Sequence, residues 1–236
     1  MNIDDPKIAS LRAAVSAAQE EFDLAVTFHE LWKPAAFDKD LHERMGVSYA
    51  TSAFHVVRVA LRRETLLALT RMWDTSAKAL RLDEVARILR DANIVSTLAA
   101  DRASRLGFGD AVEAMRLDLQ TKADKALEII DQYSRNGSKY GVLESVRTLR
   151  HERLAHRKLA SAGPSIDHTD DDIESLYQDM ARMVSLLLSL VNGVAYNPEE
   201  TGTVYARYAE LFWLSVRGEQ TEGHPKYRAP ALSRAP

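Results

Sequence analysis

The chain contains no cysteine, which excludes disulfides, thiolate nucleophiles and every cysteine-based zinc or iron–sulfur site. Glycine and proline are scarce, ten and seven in 236 residues, so long segments run without a breaker. No apolar run is long either. The most apolar window, MVSLLLSLV at 183–191, falls far short of the ~20 residues needed to span a bilayer. Neither charge predominates: the net value of −3 gives no global attraction to nucleic acid, and any such attraction must come from local clustering. The opening stretch MNIDDPKIAS has no charged-then-apolar signal pattern. These absences together lead us to expect a cytoplasmic protein without membrane contact. No Gly-rich phosphate loop, Ser–His–Asp order, carboxylate pair or internal repeat stands out.

What fills the chain is alanine, leucine, arginine and glutamate, all good helix formers, and the expected class is all-α. Asp5-Pro6 predicts a first helix, an N-cap followed by proline at the first helical position. Ile8, Leu11, Val15, Ala18, Phe22, Ala25, His29 and Trp32 then recur three and four apart almost to Pro34, a narrow apolar seam. A charged connection at 37–46 leads to a second long helix at 49–73, apolar on most of its circumference and therefore expected to be central. Shorter helices are expected at 82–91 and 94–106, and a long one after Gly109, ending at RNGSKYG. Another begins near Val142 and carries TLRHERLAHRK at 148–158. Beyond SAGPSIDH, three aspartates (170–172) suit a helix N-terminus, and Ile173, Leu176, Met180, Met183, Leu187, Leu190 and Val194 form the cleanest stripe in the chain. A last helix is expected at 204–216. The architecture predicted is a helical bundle over 1–217 with additional helices, followed by a disordered tail at 218–236.

The segment RHERLAH admits three readings. A zinc protease motif places two histidines four apart, so that both imidazoles reach one metal. His151 and His156 are five apart, which turns them by about 140° on a regular helix, and the metal reading fails. The second reading is a solvated face: Arg147, Arg150, Arg153, Arg157 and Lys158 surround one acid, Glu152. Like charges at these spacings repel, the sequence offers no evident acid to relieve them, and a phosphate-bearing partner would. The third reading supplies chemistry. Arginine can hold phosphate oxygens and stabilise the transition state's extra charge, while histidine can move protons at neutral pH.

At this point R-H-E-R-L-A-H resembles the signature of HEPN ribonucleases: an arginine, a polar residue, a few more, then a histidine. The polar place is taken by His151. The wording LR…RLAHR, with Leu149, Ala155 and Arg157, and the upstream segment LRRETLLALTRMWDTS followed by LDEVARILRD, are similar to the abortive-infection AbiU-like branch. The resemblance covers roughly residues 5 to 195. It implies a helical bundle that forms a homodimer, with two motif helices meeting at the two-fold axis and metal-independent RNA cleavage that leaves a cyclic phosphate. On an ideal helix Arg150 and His156 differ by about 120° in direction and ~9 Å along the axis, so pairing across a symmetry axis would help them converge. By this resemblance Arg150, His156 and His151 are the catalytic candidates, and Arg147, Arg153, Arg157 and Lys158 steer RNA. Arg153, three residues before His156, rivals Arg150 as the phosphate clamp. A better-known branch carries a tyrosine two places after the histidine, the target of a nucleotidyltransferase; here that place is Lys158, and no such partnership is expected.

The expected function is thus an endoribonuclease effector of phage defence or a toxin–antitoxin system, with RNA, a second copy and an antitoxin protein as partners and neither cofactor nor metal. The alternatives are a catalytically inactive HEPN-like module that binds RNA or nucleotide, and a helical interaction module whose arginines meet an acidic chain. Among other residues, His29 reads as a structural histidine on the apolar seam. His55, Arg58 and Arg62 share a helix face that reads first as solvated and second as an extension of a phosphate surface. Tyr205, Tyr208, Phe212 and Trp213 read mainly as core, with base stacking as the alternative.

Overall fold

A computed structural model describes residues 5–74, 81–149, 169–220, 222 and 226–228. The described residues form nine α-helices and no strand: α1 (Pro6–Phe37), α2 (Lys39–Met45), α3 (Tyr49–Arg71), α4 (Leu82–Leu89), α5 (Ala92–Arg105), α6 (Val112–Tyr133), α7 (Tyr140–Leu149), α8 (Asp170–Leu187) and α9 (Pro198–Ser215). One 3-10 turn (Gly109–Ala111) precedes α6, and a π turn (Leu188–Asn192) continues α8. The all-α expectation holds.

The chain divides into two compact units. The first is Met1–Ala25 with Leu66–Pro198, the second Val26–Thr65 with Glu199–Pro236. Helices α1 and α3 each pass from one to the other.

In the first unit, period became burial. Ile8, Leu11, Val15, Ala18, Phe22 and Ala25 are all buried, as are Ile173, Leu176, Met180, Met183, Leu187 and Leu190. Val194 is the exception, 46% exposed: Gly193 adopts a left-handed conformation (φ 70°) and turns the chain away before the stripe can continue. Helix α6 buries Leu119, Ala123, Ala126, Ile130 and Tyr133, and the RNGSKYG stop works through backbone shape. Asn136 has φ 81°, and a Cβ on Gly137 would lie 2.2 Å from the Asp131 carbonyl oxygen, so only glycine fits.

The second unit gathers Ala35, Leu41, Met45, Phe54, Ala209 and Trp213 into one cluster. The Trp213 indole donates to the Leu31 carbonyl (2.8 Å) and meets Phe54 edge to face at 5.7 Å. Helix α1 runs three residues past Pro34, because a proline removes one hydrogen bond and the buried Ala35 holds the final turn in the cluster. The charged connection contains a helix, α2, capped by the Asp38 carboxylate on the Asp40 and Leu41 amides. His42 lies on it and bonds the Ala35 carbonyl at 2.9 Å. Helix α9 starts at Pro198, earlier than its apolar spacing suggested.

Two expectations fail in this unit. Helix α3 is not central there: between Tyr49 and Glu64 only Phe54 is buried, while Val56, Val57 and Val59 face outward. A helix packed on one side buries one arc whatever lies on the other. On α9 the inward arc centres on Ala209 and Trp213, so Tyr208 and Phe212 are exposed and Tyr205 is half-buried; of those four aromatics only Trp213 is core. His29 behaves as a structural histidine, 1% exposed, with Nδ1 3.2 Å from the Glu30 carboxylate. Gly218, where the tail was expected to begin, is buried and its amide donates to the Arg44 carbonyl at 3.0 Å. Residues 221, 223–225 and 229–236 of that tail lie outside the described residues.

Candidate functional site

Of the sequence-derived site residues, Arg150, His151, Arg153, His156, Arg157 and Lys158 lie outside the described residues, and Arg147 lies within them. What the structure provides is the frame from which that segment leaves and to which it returns.

Helix α7 leads into the motif. Its inner face carries Leu143 and Val146, both 1% exposed. Val146 joins Leu66 of α3 and Ile173 of α8 in one apolar cluster. Val146 stands four residues before Arg150, and Ile173 five residues after His168. Both flanks of the segment 150–168 are therefore fastened to the same cluster. The far flank is also capped. Thr169 accepts from the Asp172 amide at 3.1 Å, and the Asp172 carboxylate accepts from the Thr169 amide at 2.7 Å, a reciprocal box that fixes where α8 begins.

Arg147 supplies a second fastening. Its guanidinium donates to the Glu144 carboxylate at 2.6 Å and to the Trp73 carbonyl, and the side chain is 21% exposed. Glu144, three residues back on α7, is an acid that relieves the arginine cluster at Arg147. The Trp73 carbonyl belongs to the three residues that follow α3, beyond its last helical bonds, where an orphan carbonyl needs a donor. Arg147 provides it, so the end of the segment LRRETLLALTRMWD is tied to the helix carrying the motif. This long-range bond has no signature in the sequence.

Trp73 is itself held from the other side. Its indole N–H points to the Met180 sulfur at 3.3 Å and its ring lies 5.6 Å from that of Tyr133. The Tyr133 hydroxyl donates to Asp179 at 2.8 Å, and Lys139 donates to the same carboxylate at 2.5 Å. Burial raises the Tyr133 pKa far above its ordinary value, and the neighbouring Asp179 adds to the shift. Tyr133 is thus held as a neutral phenol.

His55, Arg58 and Arg62 belong to the second unit. His55 is exposed, Arg58 half-buried, and the Arg62 guanidinium lies over the Trp32 ring at 5.9 Å. Arg62 thus packs on an aromatic face rather than standing in a plain solvated row. No helix among the described residues is long and apolar enough to cross a membrane.

Comparison with curated proteins and with solved structures gives no match. A family model does match, HEPN AbiU2, over residues 8–212. That span takes in α3, α7, the RHERLAH segment and α8, the same pieces from which the frame is built. It covers most of the chain, and the chain belongs to the AbiU2 family of HEPN domains, a family of abortive-infection proteins.

Proposed function

We propose that the protein is a metal-independent endoribonuclease acting as an effector of phage defence or of a toxin–antitoxin system. The observation that supports this most is that the AbiU2 match spans residues 150–156, where the sequence sets a phosphate-binding cation and a proton-transfer group six positions apart. His156 takes the proton of an RNA 2′-hydroxyl. The 2′-oxygen attacks the adjoining phosphorus, the bond to the 5′-oxygen breaks, and that oxygen leaves with the proton that the His156 imidazolium gives back. The products are a 2′,3′-cyclic phosphate and a 5′-hydroxyl. Arg150 holds the non-bridging oxygens as their charge grows, with His151 in support. Arg153, Arg157 and Lys158 draw the RNA backbone in through charge. Arg147, paired with Glu144, adds to that field.

The chain works as a homodimer in this reading, each site drawing its arginine and histidine from the two copies. An antitoxin protein would be the partner that keeps such a nuclease silent. The test is cleavage of mixed cellular RNA by the purified protein in EDTA, beside His156→Ala and Arg150→Ala, with sedimentation velocity on the same samples. Cleavage by the wild type that both substitutions abolish, in a protein that sediments as a dimer, is the expected result. RNA that stays intact yet shifts on a gel would make RHERLAH a binding face without catalysis.

A further inference from the structure

We propose that the first unit contains a separate binding site for a small phosphorylated compound, where the start of α1, the end of α5 and the π turn after α8 meet. A cavity of about 370 Å³ opens there, lined by Arg12, Ala13, Ser16, Arg105 and Asn192. That is within the range of small-molecule pockets, about 300–1,000 Å³, and large enough for more than a bare ion.

The charge at this place is unbalanced. Arg12 and Arg105 share one carboxylate, Asp101, at 3.4 and 2.7 Å. A third guanidinium, Arg102, stands behind them and donates to the Leu190 carbonyl at 2.9 Å. Burial lowers the Arg102 pKa, and Arg105 pushes the same way, opposed by Asp118 and Asp101. Three guanidiniums face two carboxylates, Asp101 and Asp118, the second of them also paired with Lys122, an excess of positive charge that an added oxyanion would relieve.

The polar side chains add a second requirement. The Asn192 amide donates to the Ser16 hydroxyl oxygen at 3.1 Å, which leaves the Ser16 proton for an acceptor in the cavity. The Asn192 carbonyl oxygen is buried without a hydrogen-bond partner among the described residues, and such an atom calls for a donor. A ligand with an oxyanion for Arg12, Arg105 and Ser16, and a hydroxyl for Asn192, meets both needs. A phosphorylated sugar, free or in a nucleotide, is that chemistry.

The backbone is shaped to hold these groups. The π turn spans Leu188–Asn192, a form found often at functional sites. Gly193 closes it at φ 70°, a backbone shape that favours glycine, with the Arg102 guanidinium 3.3 Å from where a Cβ would lie.

The test is calorimetric titration of the full chain with ribose 5-phosphate, AMP and inorganic phosphate, against sodium sulfate as the control anion. The expected result is binding of the two sugar phosphates above inorganic phosphate, with sulfate weakest. AMP above ribose 5-phosphate would mark a nucleotide site, and parity a sugar-phosphate site. Arg105→Ala, which removes a charge-assisted hydrogen bond, and the near-isosteric Asn192→Asp, which sets a negative charge beside the phosphate, should each weaken binding by about tenfold or more. Both should leave circular dichroism and Tm near wild type. Affinities unchanged in both variants would overturn the proposal. So would sulfate binding as well as the sugar phosphates, or a folded wild type that binds none of them.

Discussion

The two units use the same alphabet to different ends. In the first, apolar residues at helical spacing are buried: Leu176, Met180, Met183 and Leu187 of α8 are all fully inside. In the second, α3 and α9 each carry apolar residues on the arc turned away from their common core. Val56 is 69% exposed, Val59 65%, Leu211 51% and Phe212 53%. The first unit surrounds α8 with neighbours, so its stripe is buried, while Leu106, Phe108 and Leu117 of the same unit stay exposed. The second has a core only one helix layer deep, centred on Trp213 and Phe54. Hydrophobic period therefore reports the secondary structure in both units and the burial in only one.

That contrast should show most strongly inside the two cores. Trp213→Ala in the second unit should cost about 3–5 kcal/mol, and Leu187→Ala in the first about 2–5 kcal/mol. Chemical denaturation followed separately by tryptophan fluorescence and by circular dichroism would measure each. A small loss for Trp213→Ala would mean the second unit has no core of its own.

Arg147→Ala comes next. It leaves the Trp73 carbonyl without its donor and Glu144 without its partner, a loss of about 1–3 kcal/mol. The damage should centre on the end of α3 and the end of α7, where hydrogen exchange should quicken while the second unit stays protected.

The units should also answer to opposite ends of the pH scale. In the first, the raised pKa of Tyr133 favours the neutral phenol in the folded state. Its contribution is whole below the ordinary value of 10.0 and is lost as pH rises above it. Tyr133→Phe should flatten the alkaline fall in stability, for about 1 kcal/mol lost with the Asp179 hydrogen bond at neutral pH. In the second, burial pulls the Glu30 pKa upward, but the His29 hydrogen bond and Lys33 outweigh it and hold it below 4.5. That contribution is present above the ordinary value and is lost as pH falls through the lowered one. Glu30→Gln should flatten the acid limb of the Tm–pH curve and leave the alkaline limb alone.

The smallest effects belong to the outward faces. Val56→Ser and Leu211→Gln should each change stability by no more than about 0.5 kcal/mol. A loss near that of Leu187→Ala would show that these faces are covered in solution, and the contrast between the units would collapse.

Much of this was legible in the residues. The α1 seam and the α8 stripe could be read because a repeat of three and four has one structural solution when neighbours exist on that side. The RNGSKYG stop could be read because Asn136 and Gly137 allow backbone shapes other residues resist. Helix α2 was hidden: KDLHERM offers only Leu41 and Met45 as apolar positions, too few to set a period. The exposure of Val56 and Tyr208 could not be read, since burial depends on which helix comes to lie alongside. The Arg147–Trp73 bond joins residues 74 positions apart and follows from tertiary packing alone. RHERLAH itself was legible as a pair of functional types at a spacing, and the family match includes it.

The measurement that bears most directly on the proposed activity is the chemistry of the RNA ends. Total RNA incubated with the protein in EDTA would be ligated with an enzyme that accepts only 2′,3′-cyclic phosphates, then sequenced, beside the His156→Ala protein. We predict new cyclic-phosphate ends with matching 5′-hydroxyls that disappear in the variant. Ends that are equally abundant with His156→Ala, or RNA left whole by a folded wild-type dimer, would contradict it.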